Sequence, residues 1–326
     1  MSRFEATIGT DIQVAADWLK QGEVIGMPTE TVYGLAGNAL DAEAVTRIFT
    51  AKNRPTFNPL IVHVHGVEQL AELVQELPNS VKSLAAACWP GPLTLLLPKT
   101  DRVPDLVTAG HPRVAVRIPN HPVALELLQA LDFPLAAPSA NPFGYISPTT
   151  AEHVRQQLHT RIPYVLDGGP TEIGIESTIL GWEPDGTWKW YRIGGYPLEA
   201  LETLVGPIEA APHHAENPQS SGRLKSHYAP NVPLVLGDVD ELLNTHGKDG
   251  VGVLAFDRSV GGVSAKHQRV LSESGDLGEA ARNLFAYMRE LDEMDVSIIL
   301  AQRVPDRGLG RAINDRLGKA VAENKE

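Results

Sequence analysis

Cationic side chains cluster where a predicted helix ends and a buried strand begins. Lys52 and Arg54 lie two residues apart, and Asn58 and His63 follow shortly after them. A lysine ammonium is a compact point charge and an arginine guanidinium is a bidentate fork, so together they suit a polyphosphate. Basic residues at the end of a helix also offset the helix dipole, which requires no ligand. This stretch is therefore consistent with either a phosphate site or an ordinary helix end.

Two turns that follow predicted strands carry further polar side chains. Residues 28–37 contain threonines, a glutamate and a tyrosine, and residues 138–142 contain Ser139 and Asn141. Ligands of open α/β sheets bind beyond the carboxyl ends of strands, so both turns are candidate walls of a site. The same residue types are equally typical of plain connecting turns. Neither turn is a phosphate loop, because the Gly-x-x-x-x-Gly-Lys-Ser/Thr pattern is absent.

A charged residue also falls inside a predicted strand. Residues 113–119 alternate so that Arg113, Ala115 and Arg117 share one face of the sheet. The surrounding sheet is otherwise apolar, and an unpaired charge is costly to bury. We therefore expect Arg117 to contact an anion, a carboxylate or solvent, which makes it a candidate site residue.

Alternating helical and strand patterns surround these residues and predict an α/β fold. Asp41 is the predicted N-cap of the helix that ends at Lys52, and Pro55 and Pro59 prevent its continuation. Residues 103–112 are predicted to form a loop. Further helices are predicted at 11–21, 67–77, 80–88, 122–131, 151–159 and 197–205, and strands at 24–27, 60–62, 93–97, 113–119, 133–137 and 188–193. Residues 164–169 are predicted to be a strand and a turn, and residues 174–179 to start the next strand.

The C-terminal third repeats the α/β rhythm after a change in composition. Residues 207–231 are rich in proline and polar side chains, include the neighbours His213 and His214, and are predicted to be a linker. The histidine pair lacks the accompanying ligands of a metal site. Short connections between the later elements favour a small parallel sheet. The predicted strands are 233–236, 251–256 and 296–300, and the helices are 238–245, 277–291 and 310–321.

Composition and charge exclude several classes of protein. The 326 residues include 43% hydrophobic and 21% charged side chains, as expected for a globular chain of two domains. The single cysteine excludes an intramolecular disulfide framework and a multi-cysteine metal site. A net charge of −12 disfavours a broad nucleic-acid surface, which needs many cations. We find no apolar signal core and no long apolar run, so a cytoplasmic location is expected.

A series of motifs in a fixed order resembles the threonylcarbamoyl-AMP synthase family. The motifs lie at residues 28–34, 52–54, 58–63, 89–94, 114–117, 138–141, 174–179 and 227–230. The resemblance covers residues 1–206 as a YrdC-like catalytic domain, residues 207–231 as a linker that acts as an active-site lid, and residues 232–326 as a C-terminal domain found in the longer members. It implies a twisted, open mixed sheet with flanking helices, followed by a small Rossmann-like parallel α/β domain.

The resemblance also implies a reaction. A nucleotidyltransferase of this family makes L-threonylcarbamoyl-AMP, pyrophosphate and water from L-threonine, bicarbonate and ATP. Members are similar in using Mg²⁺, which would be held through the ATP phosphates. The product is the donor for threonylcarbamoyladenosine in tRNA, and a separate transferase complex carries out the tRNA step. Small-molecule substrates, no membrane partner and no strong nucleic-acid surface are therefore expected.

Residue roles follow from the positions that match the family motifs. Lys52 and Arg54 would be catalytic. The ATP-binding residues would be Lys52, Arg54, Asn58, Arg113, Ser139, Asn141, Ser147, Arg192 and Tyr228. The threonine-binding residues would be Thr31, His63, Arg117, Ala137 and Ser177. Arg117 would pair with the amino-acid carboxylate, and Ala137 would make contact through its backbone. Residues 221–226 depart from the usual family sequence, so no role follows for Lys225 or Ser226.

Three other interpretations fit parts of the sequence. A protein of the same fold can seat double-stranded RNA, although the net charge of −12 disfavours this. Carbamoyl-transfer enzymes of hydrogenase maturation are similar in fold, but they carry zinc-finger regions whose cysteines this chain lacks. In the third interpretation the C-terminal domain binds a regulator or its own nucleotide, for which the sequence has no ligand signature.

Overall fold

Two compact units make up the protein. In the computed structural model, residues 4–212, 219–222 and 227–321 are described. The predicted pair His213 and His214 lies outside these residues, as do Lys225 and Ser226. The described part of the chain includes no helix that is long and apolar enough to cross a membrane. The first unit comprises Met1–Phe143, Pro148–Thr171 and Glu176–Leu224, and the second comprises Gly144–Ser147, Glu172–Ile175 and Lys225–Glu326.

The first unit is built on one large mixed sheet. Among the described residues its strands are β1 (Thr7–Gly9), β2 (Ile25–Met27), β3 (Gly34–Asn38), β4 (Ile61–His63), β5 (Leu93–Pro98), β6 (Arg113–Arg117), β7 (Leu135–Ala136), β8 (Tyr164–Leu166), β9 (Thr178–Trp182), β10 (Trp188–Arg192) and β11 (Glu209–Ala210). Their order is β1-β8-β2-β3-β7-β4-β6-β5-β9-β10-β11. Parallel pairs such as β4 with β6 occur beside antiparallel pairs such as β3 with β7. This mixed sheet confirms the predicted fold class.

Helices connect most of these strands, largely where the sequence predicts them. They are α1 (Ile12–Lys20), α2 (Ala42–Lys52), α3 (Val67–Leu73), α4 (Asn79–Cys88), α5 (Asp105–Thr108), α6 (Pro122–Gln129), α7 (Ala151–Leu158) and α8 (Leu198–Val205). Helix α2 shows how the local sequence places the cationic residues. Asp41 accepts a hydrogen bond from the Glu43 amide and caps the helix, as predicted. Asn53 then adopts the left-handed conformation, at φ 52° and ψ 40°, and ends the helix directly after Lys52.

The two faces of β6 have different environments. Val114 and Val116 pack in the main apolar core, whereas Ala115 packs in a small cluster with residues of β4 and β5. Because side chains alternate along a strand, Arg113 and Arg117 share the face of Ala115, as predicted. The face opposite the main core therefore carries the arginines and only a thin apolar layer.

Strand β3 occupies residues that the sequence predicts to be a turn. The prediction for residues 28–37 depended partly on their glycines, but Gly34–Asn38 forms a strand between β2 and β7. A Cβ atom at Gly34 would lie 3.0 Å from the Cβ atom of Ala137. Here glycine allows neighbouring backbones to approach closely within a sheet. In the sequence, a glycine with this role cannot be distinguished from a glycine in a turn.

The other differences concern very short elements. Helix α5 lies within residues 103–112, which are predicted to be a loop, and β11 lies within the predicted linker. Strand β1 has no counterpart in the prediction. Each of these elements has two to four residues. Such short segments contain too few residues to show a helix or strand period.

The second unit has its own four-stranded sheet. Its strands are β12 (Leu234–Gly237), β13 (Val251–Ala255), β14 (Gln268–Val270) and β15 (Ile298–Gln302), and its helices are α9 (Val239–His246), α10 (Leu277–Asp292) and α11 (Leu309–Ala320). The order is β12-β15-β13-β14, and every pair is parallel. This arrangement confirms the small parallel α/β fold that the sequence predicts. The prediction omits only β14 and the 3-10 turn Ala265–His267 before it.

Candidate active site

Lys52 is buried at the end of α2, where backbone oxygens hold its ammonium. The residue is 1% exposed, and Nζ donates hydrogen bonds to the carbonyl oxygens of Ser139 and Asn141. Burial and the positive charge of Arg54 lower the pKa of Lys52, and the Glu176 carboxylate opposes this shift. The structure thus joins the Lys-x-Arg and Ser-x-Asn motifs through one side chain.

Arg54 and Asn58 lie together in the loop between α2 and β4. Arg54 Nε donates to the Asn58 carbonyl oxygen at 3.2 Å, and Nη2 donates to the Pro59 carbonyl oxygen at 3.0 Å. The side-chain amide of Asn58 is buried and makes no hydrogen bond to any residue that the structure describes. Because an unpaired buried amide is unfavourable, a polar ligand that reached Asn58 would bind well there.

Arg117 of β6 is paired with the buried carboxylate of Glu30. Arg117 Nη2 lies 2.6 Å from Glu30 Oε1, and the two side chains are 3% and 2% exposed. Arg117 Nε donates to the Gly91 carbonyl oxygen at 3.1 Å, and Nη1 donates to Thr31 Oγ1 at 2.9 Å. Of the partners that the sequence allows for Arg117, the structure shows a carboxylate.

His63 of β4 is the register partner of Arg117 in the parallel β4–β6 pair. Burial and the Arg117 guanidinium lower the pKa of His63 to about 3, so its imidazole is neutral near pH 7. Its Nδ1 is buried and makes no hydrogen bond within the described ranges. His63 therefore places an uncharged polar ring next to the Arg117–Glu30 pair.

Ser177 directly precedes β9 and contacts residues of β5 and β10. Its Oγ lies 2.7 Å from Thr94 Oγ1 and accepts a hydrogen bond from Arg192 Nη2 at 3.1 Å. Arg192 Nε also donates to the Ser177 carbonyl oxygen at 3.0 Å, and Nη1 donates to Ser221 Oγ at 3.1 Å. The Arg192 guanidinium is thus oriented by Ser177 and by Ser221 of the predicted linker.

Arg113 stands at the other end of β6 from Arg117. It forms an ion pair with Glu183 at 2.9 Å and donates hydrogen bonds to Tyr191 and to Gln219 Oε1. Gln219, like Ser221, belongs to the predicted linker. A cavity of 640 Å³ is lined by Arg113, Glu183 and Gln219 with other residues of the first unit.

Ala137 and Thr31 complete the predicted residues of the first unit. The Ala137 amide donates to the Ile61 carbonyl oxygen at 2.9 Å, so a backbone contact with a ligand would use its carbonyl oxygen. Thr31 Oγ1 lies 2.9 Å from Thr29 Oγ1 in addition to its bond with Arg117. Both residues are buried.

Ser147 and Tyr228 belong to the second unit. Arg289 donates hydrogen bonds to the carbonyl oxygens of Ser147, at 3.3 Å, and of Ile146. The Tyr228 ring is 1% exposed, and its centroid lies 5.4 Å from that of Phe285. The structure therefore places Tyr228, which the sequence predicts to be part of a lid, among buried side chains of this unit.

Sequence reasoning did not single out Glu30, Thr94 or Glu176 as site residues. Glu30 pairs with Arg117, Thr94 contacts Ser177, and Glu176 acts electrostatically on Lys52. All three are buried. Thr94 lies between apolar strand residues, which is the signal that identified Arg117, whereas Glu30 and Glu176 lie outside the strands and show no such pattern.

Comparison with known proteins identifies the family. A family model described as "Telomere recombination" matches residues 17–194, and one described as "Threonylcarbamoyl-AMP synthase, C-terminal domain" matches residues 196–322. The chain is 40% identical to the threonylcarbamoyl-AMP synthase of Pyrococcus abyssi over 327 residues, which cover 95% of this chain and 93% of that protein. The chain belongs to the threonylcarbamoyl-AMP synthase family.

Other members of the threonylcarbamoyl-AMP synthase family show the same extent of similarity. The synthase of Bacillus subtilis is 41% identical over 327 residues, covering 97% of this chain and 94% of that protein. A crystal structure of P. abyssi Sua5 complexed with L-threonine matches the fold with a TM-score of 0.88 and 40% identity, covering 95% of this chain and 93% of that one. These relatives are named as synthases, so the family is one of enzymes, and the resemblance stated from the motifs is confirmed.

Proposed function

We propose that this protein is a nucleotidyltransferase that converts L-threonine, bicarbonate and ATP into L-threonylcarbamoyl-AMP, pyrophosphate and water. The observation that carries the proposal is 40% identity along 95% of the chain to a synthase of that name. A structural relative of the same identity is a complex with L-threonine, which supports the choice of amino acid. The product would be the donor for threonylcarbamoyladenosine, which a separate complex adds to tRNA in the cytoplasm.

The threonine site is assigned to the buried polar residues around Arg117. Arg117 is a fixed guanidinium that suits an amino-acid carboxylate. Neutral His63 and the hydroxyl of Ser177 offer hydrogen bonds without adding charge. The five residues assigned to threonine are Thr31, His63, Arg117, Ala137 and Ser177.

The ATP site is assigned to the cationic residues and the amides near them. Lys52 orders the Ser139–Asn141 turn through its bonds to two carbonyl oxygens, and the Asn58 amide lies buried beside Arg54 without a partner in the described chain. Arg113 lines a 640 Å³ cavity that none of the other assigned ATP residues lines, so its assignment follows from the family resemblance. Arg192 completes the set in the first unit. Ser147 and Tyr228 are assigned to ATP by the family resemblance alone.

The reaction needs charge stabilisation more than a covalent nucleophile. The threonine amine and bicarbonate first form a carbamate and release water. A carbamate oxygen then attacks the α-phosphorus of ATP, and pyrophosphate leaves with the bonding electrons. Arg54 and Lys52 would neutralise the charge that grows on the phosphate oxygens. A linker that closes over the site would protect the labile carbamate from water.

Magnesium fits this arrangement as a partner of the ATP phosphates. Among the described residues no three His, Cys, Asp or Glu side chains are grouped to hold a metal ion. Mg²⁺ commonly takes one or two carboxylates together with substrate phosphates, so no larger cage is required. The ion would be held through the ATP phosphates, and Glu176, a buried carboxylate whose charge acts on Lys52, would be available to supply one oxygen ligand. When bound, Mg²⁺ supplies Lewis-acid stabilisation of phosphate charge.

A pyrophosphate assay tests the proposed function. The full-length protein is incubated with ATP, bicarbonate, Mg²⁺ and each amino acid in turn, and we expect pyrophosphate with threonine and not with the others. Lys52→Ala and Arg54→Ala should each lower the rate by about 100-fold or more, as for other removed charge stabilisers. Arg47→Ala is the matched control, because Arg47 lies on the same helix and is partly exposed.

Two results would overturn the proposal. Pyrophosphate formation that does not depend on threonine would exclude the assigned reaction. Near wild-type rates for both the Lys52 and Arg54 variants would exclude the assigned site. A salt-dependent shift with double-stranded RNA and no ATP turnover would instead support an RNA-binding module.

A further inference from the structure

Buried polar atoms without hydrogen-bond partners converge around Arg117. Both side-chain oxygens of Glu30, Nη2 of Arg117 and Nδ1 of His63 are shielded from solvent and make no hydrogen bond within the described parts of the chain. Arg117 Nη2 and Glu30 Oε1 are close enough for an ion pair, at 2.6 Å, but they do not meet hydrogen-bond geometry. Buried charged groups normally saturate their hydrogen bonds, so these atoms retain the capacity to bond to a polar ligand in addition to the Arg117–Glu30 ion pair.

Glu30 is not needed to orient the arginine. Arg117 Nε is fixed by the Gly91 carbonyl oxygen and Nη1 is fixed by Thr31 Oγ1. Thr31 is in turn positioned by Thr29, whose Oγ1 lies 2.9 Å away and accepts from the Thr31 amide at 3.2 Å. With two of its nitrogens already held, the guanidinium has a defined plane, and the Glu30 oxygens remain available as acceptors.

The charge at this place is balanced. Arg117 contributes one positive charge, Glu30 contributes one negative charge, and His63 is a neutral ring. A simple anion would bind Arg117 only against repulsion from Glu30. A ligand that carries both an anionic and a cationic group matches the pair, because each of its charges then meets the opposite sign.

We propose that Glu30 and Arg117 together recognise the zwitterion of the α-amino acid substrate, with the Glu30 carboxylate accepting hydrogen bonds from its ammonium group. Arg117 takes the carboxylate of the same molecule. An ammonium has three donors and no acceptor, which suits the two Glu30 oxygens, because neither accepts a hydrogen bond from the described residues. Glu30 is thus a specificity-determining residue that selects α-amino acids over acids without an amine. This inference rests on the proposed function and extends it to a residue outside the assigned site.

Calorimetric titration of the full-length protein tests the role of Glu30. The two ligands are L-threonine and a 2,3-dihydroxybutanoate of matching stereochemistry, in which a hydroxyl replaces the ammonium. We expect the wild type to prefer threonine by about tenfold or more, because the hydroxy acid leaves the Glu30 charge without a partner. Glu30→Gln should bind threonine about tenfold more weakly. Its affinity for the hydroxy acid should differ from that of the wild type by less than about threefold.

Matched measurements separate recognition from a merely structural role. Glu23→Gln removes another buried glutamate and should leave both affinities unchanged. If Glu30→Gln weakens the binding of both ligands equally, Glu30 acts only through the fold or through Arg117, and the proposal is wrong. If Glu30→Gln does not fold, the wild-type preference decides alone, and equal affinity for the two ligands overturns the proposal.

The outcomes also distinguish this inference from the proposed function. If the wild type binds threonine and makes pyrophosphate, and Glu30→Gln has unchanged affinities for both ligands, only the role of Glu30 is overturned. Wild-type protein that binds no amino acid and makes no pyrophosphate overturns both.

Discussion

At the scale of single residues, burial sets the chemistry of His63. The imidazole is 3% exposed, and burial together with the Arg117 guanidinium lowers its pKa to about 3. An unfolded histidine titrates at about pH 6.5. Between these values the unfolded chain binds a proton that the folded chain does not. The stabilising contribution of neutral His63 is therefore complete above about pH 6.5 and is lost as the pH falls.

We predict that His63→Gln reduces the pH dependence of the free energy of unfolding. Below about pH 6.5 the free energy of unfolding of the wild type falls by up to about 1.4 kcal/mol per pH unit because of this group. Glutamine does not titrate, so the variant lacks this contribution. Urea unfolding followed by tryptophan fluorescence reports on the first unit, because all five tryptophans lie there. His159→Gln, an exposed histidine, is the control. Parallel pH profiles for His63→Gln and wild type would contradict the prediction.

At the scale of elements, the end of α2 is determined by one residue in the left-handed region. Asn53 has φ 52°, and its amide and that of Arg54 bond to carbonyl oxygens in the last turn of the helix. Asparagine adopts this conformation more readily than other residues with a side chain, apart from aspartate. The cap sets the direction in which the chain leaves the helix, and it thereby positions Arg54 after Lys52.

We predict that the backbone conformation at Asn53 is required and its side chain is not. Asn53→Gly should change the free energy of unfolding by less than about 0.5 kcal/mol, because glycine accepts a positive φ. Asn53→Val should cost about 1–3 kcal/mol and should raise the KM for ATP by displacing Arg54. Ala109, which caps α5 at φ 53°, offers a comparison, and Ala109→Gly should be stabilising. Equal stability of the glycine and valine variants at position 53 would refute this account.

At the scale of the whole molecule, residues that are distant in sequence supply the contacts of the candidate site. Gln219 and Ser221 of the predicted linker accept hydrogen bonds from Arg113 and Arg192. The sheet from β1 to β10 is complete before residue 207. The linker residues therefore add to the contacts that Glu183 and Ser177 already make with these two arginines.

We predict that deleting residues 208–326 leaves the remaining residues of the first unit folded and lowers their activity. The tryptophan-monitored unfolding transition should persist, since all five tryptophans and β1 to β10 are retained. Pyrophosphate formation should fall, because Arg113 and Arg192 lose their linker partners. The full-length double variant Gln219→Ala with Ser221→Ala should reproduce part of the loss. Normal turnover by the truncated protein would show that the linker has no part in catalysis.

Local sequence alone determined most of the helices and strands and the candidate residues. Asp41 and the prolines after Lys52 act on neighbouring residues, so the bounds of α2 were predictable. The alternation in β6 likewise placed Arg113 and Arg117 on one face. The order of the motifs was enough to identify the family, which the matches along the whole chain confirm.

Only the tertiary structure decided which of these residues meet. Lys52 binds the carbonyl oxygens of Ser139 and Asn141, and Arg117 pairs with Glu30, across large separations in sequence. The same holds for β3, where glycines that resemble a turn allow close packing against the neighbouring strand. Hydrophobic periodicity and capping are local effects, whereas the partner of a buried charge depends on how strands are ordered in the sheet. That order is set by packing over the whole unit, and no short stretch of sequence contains it.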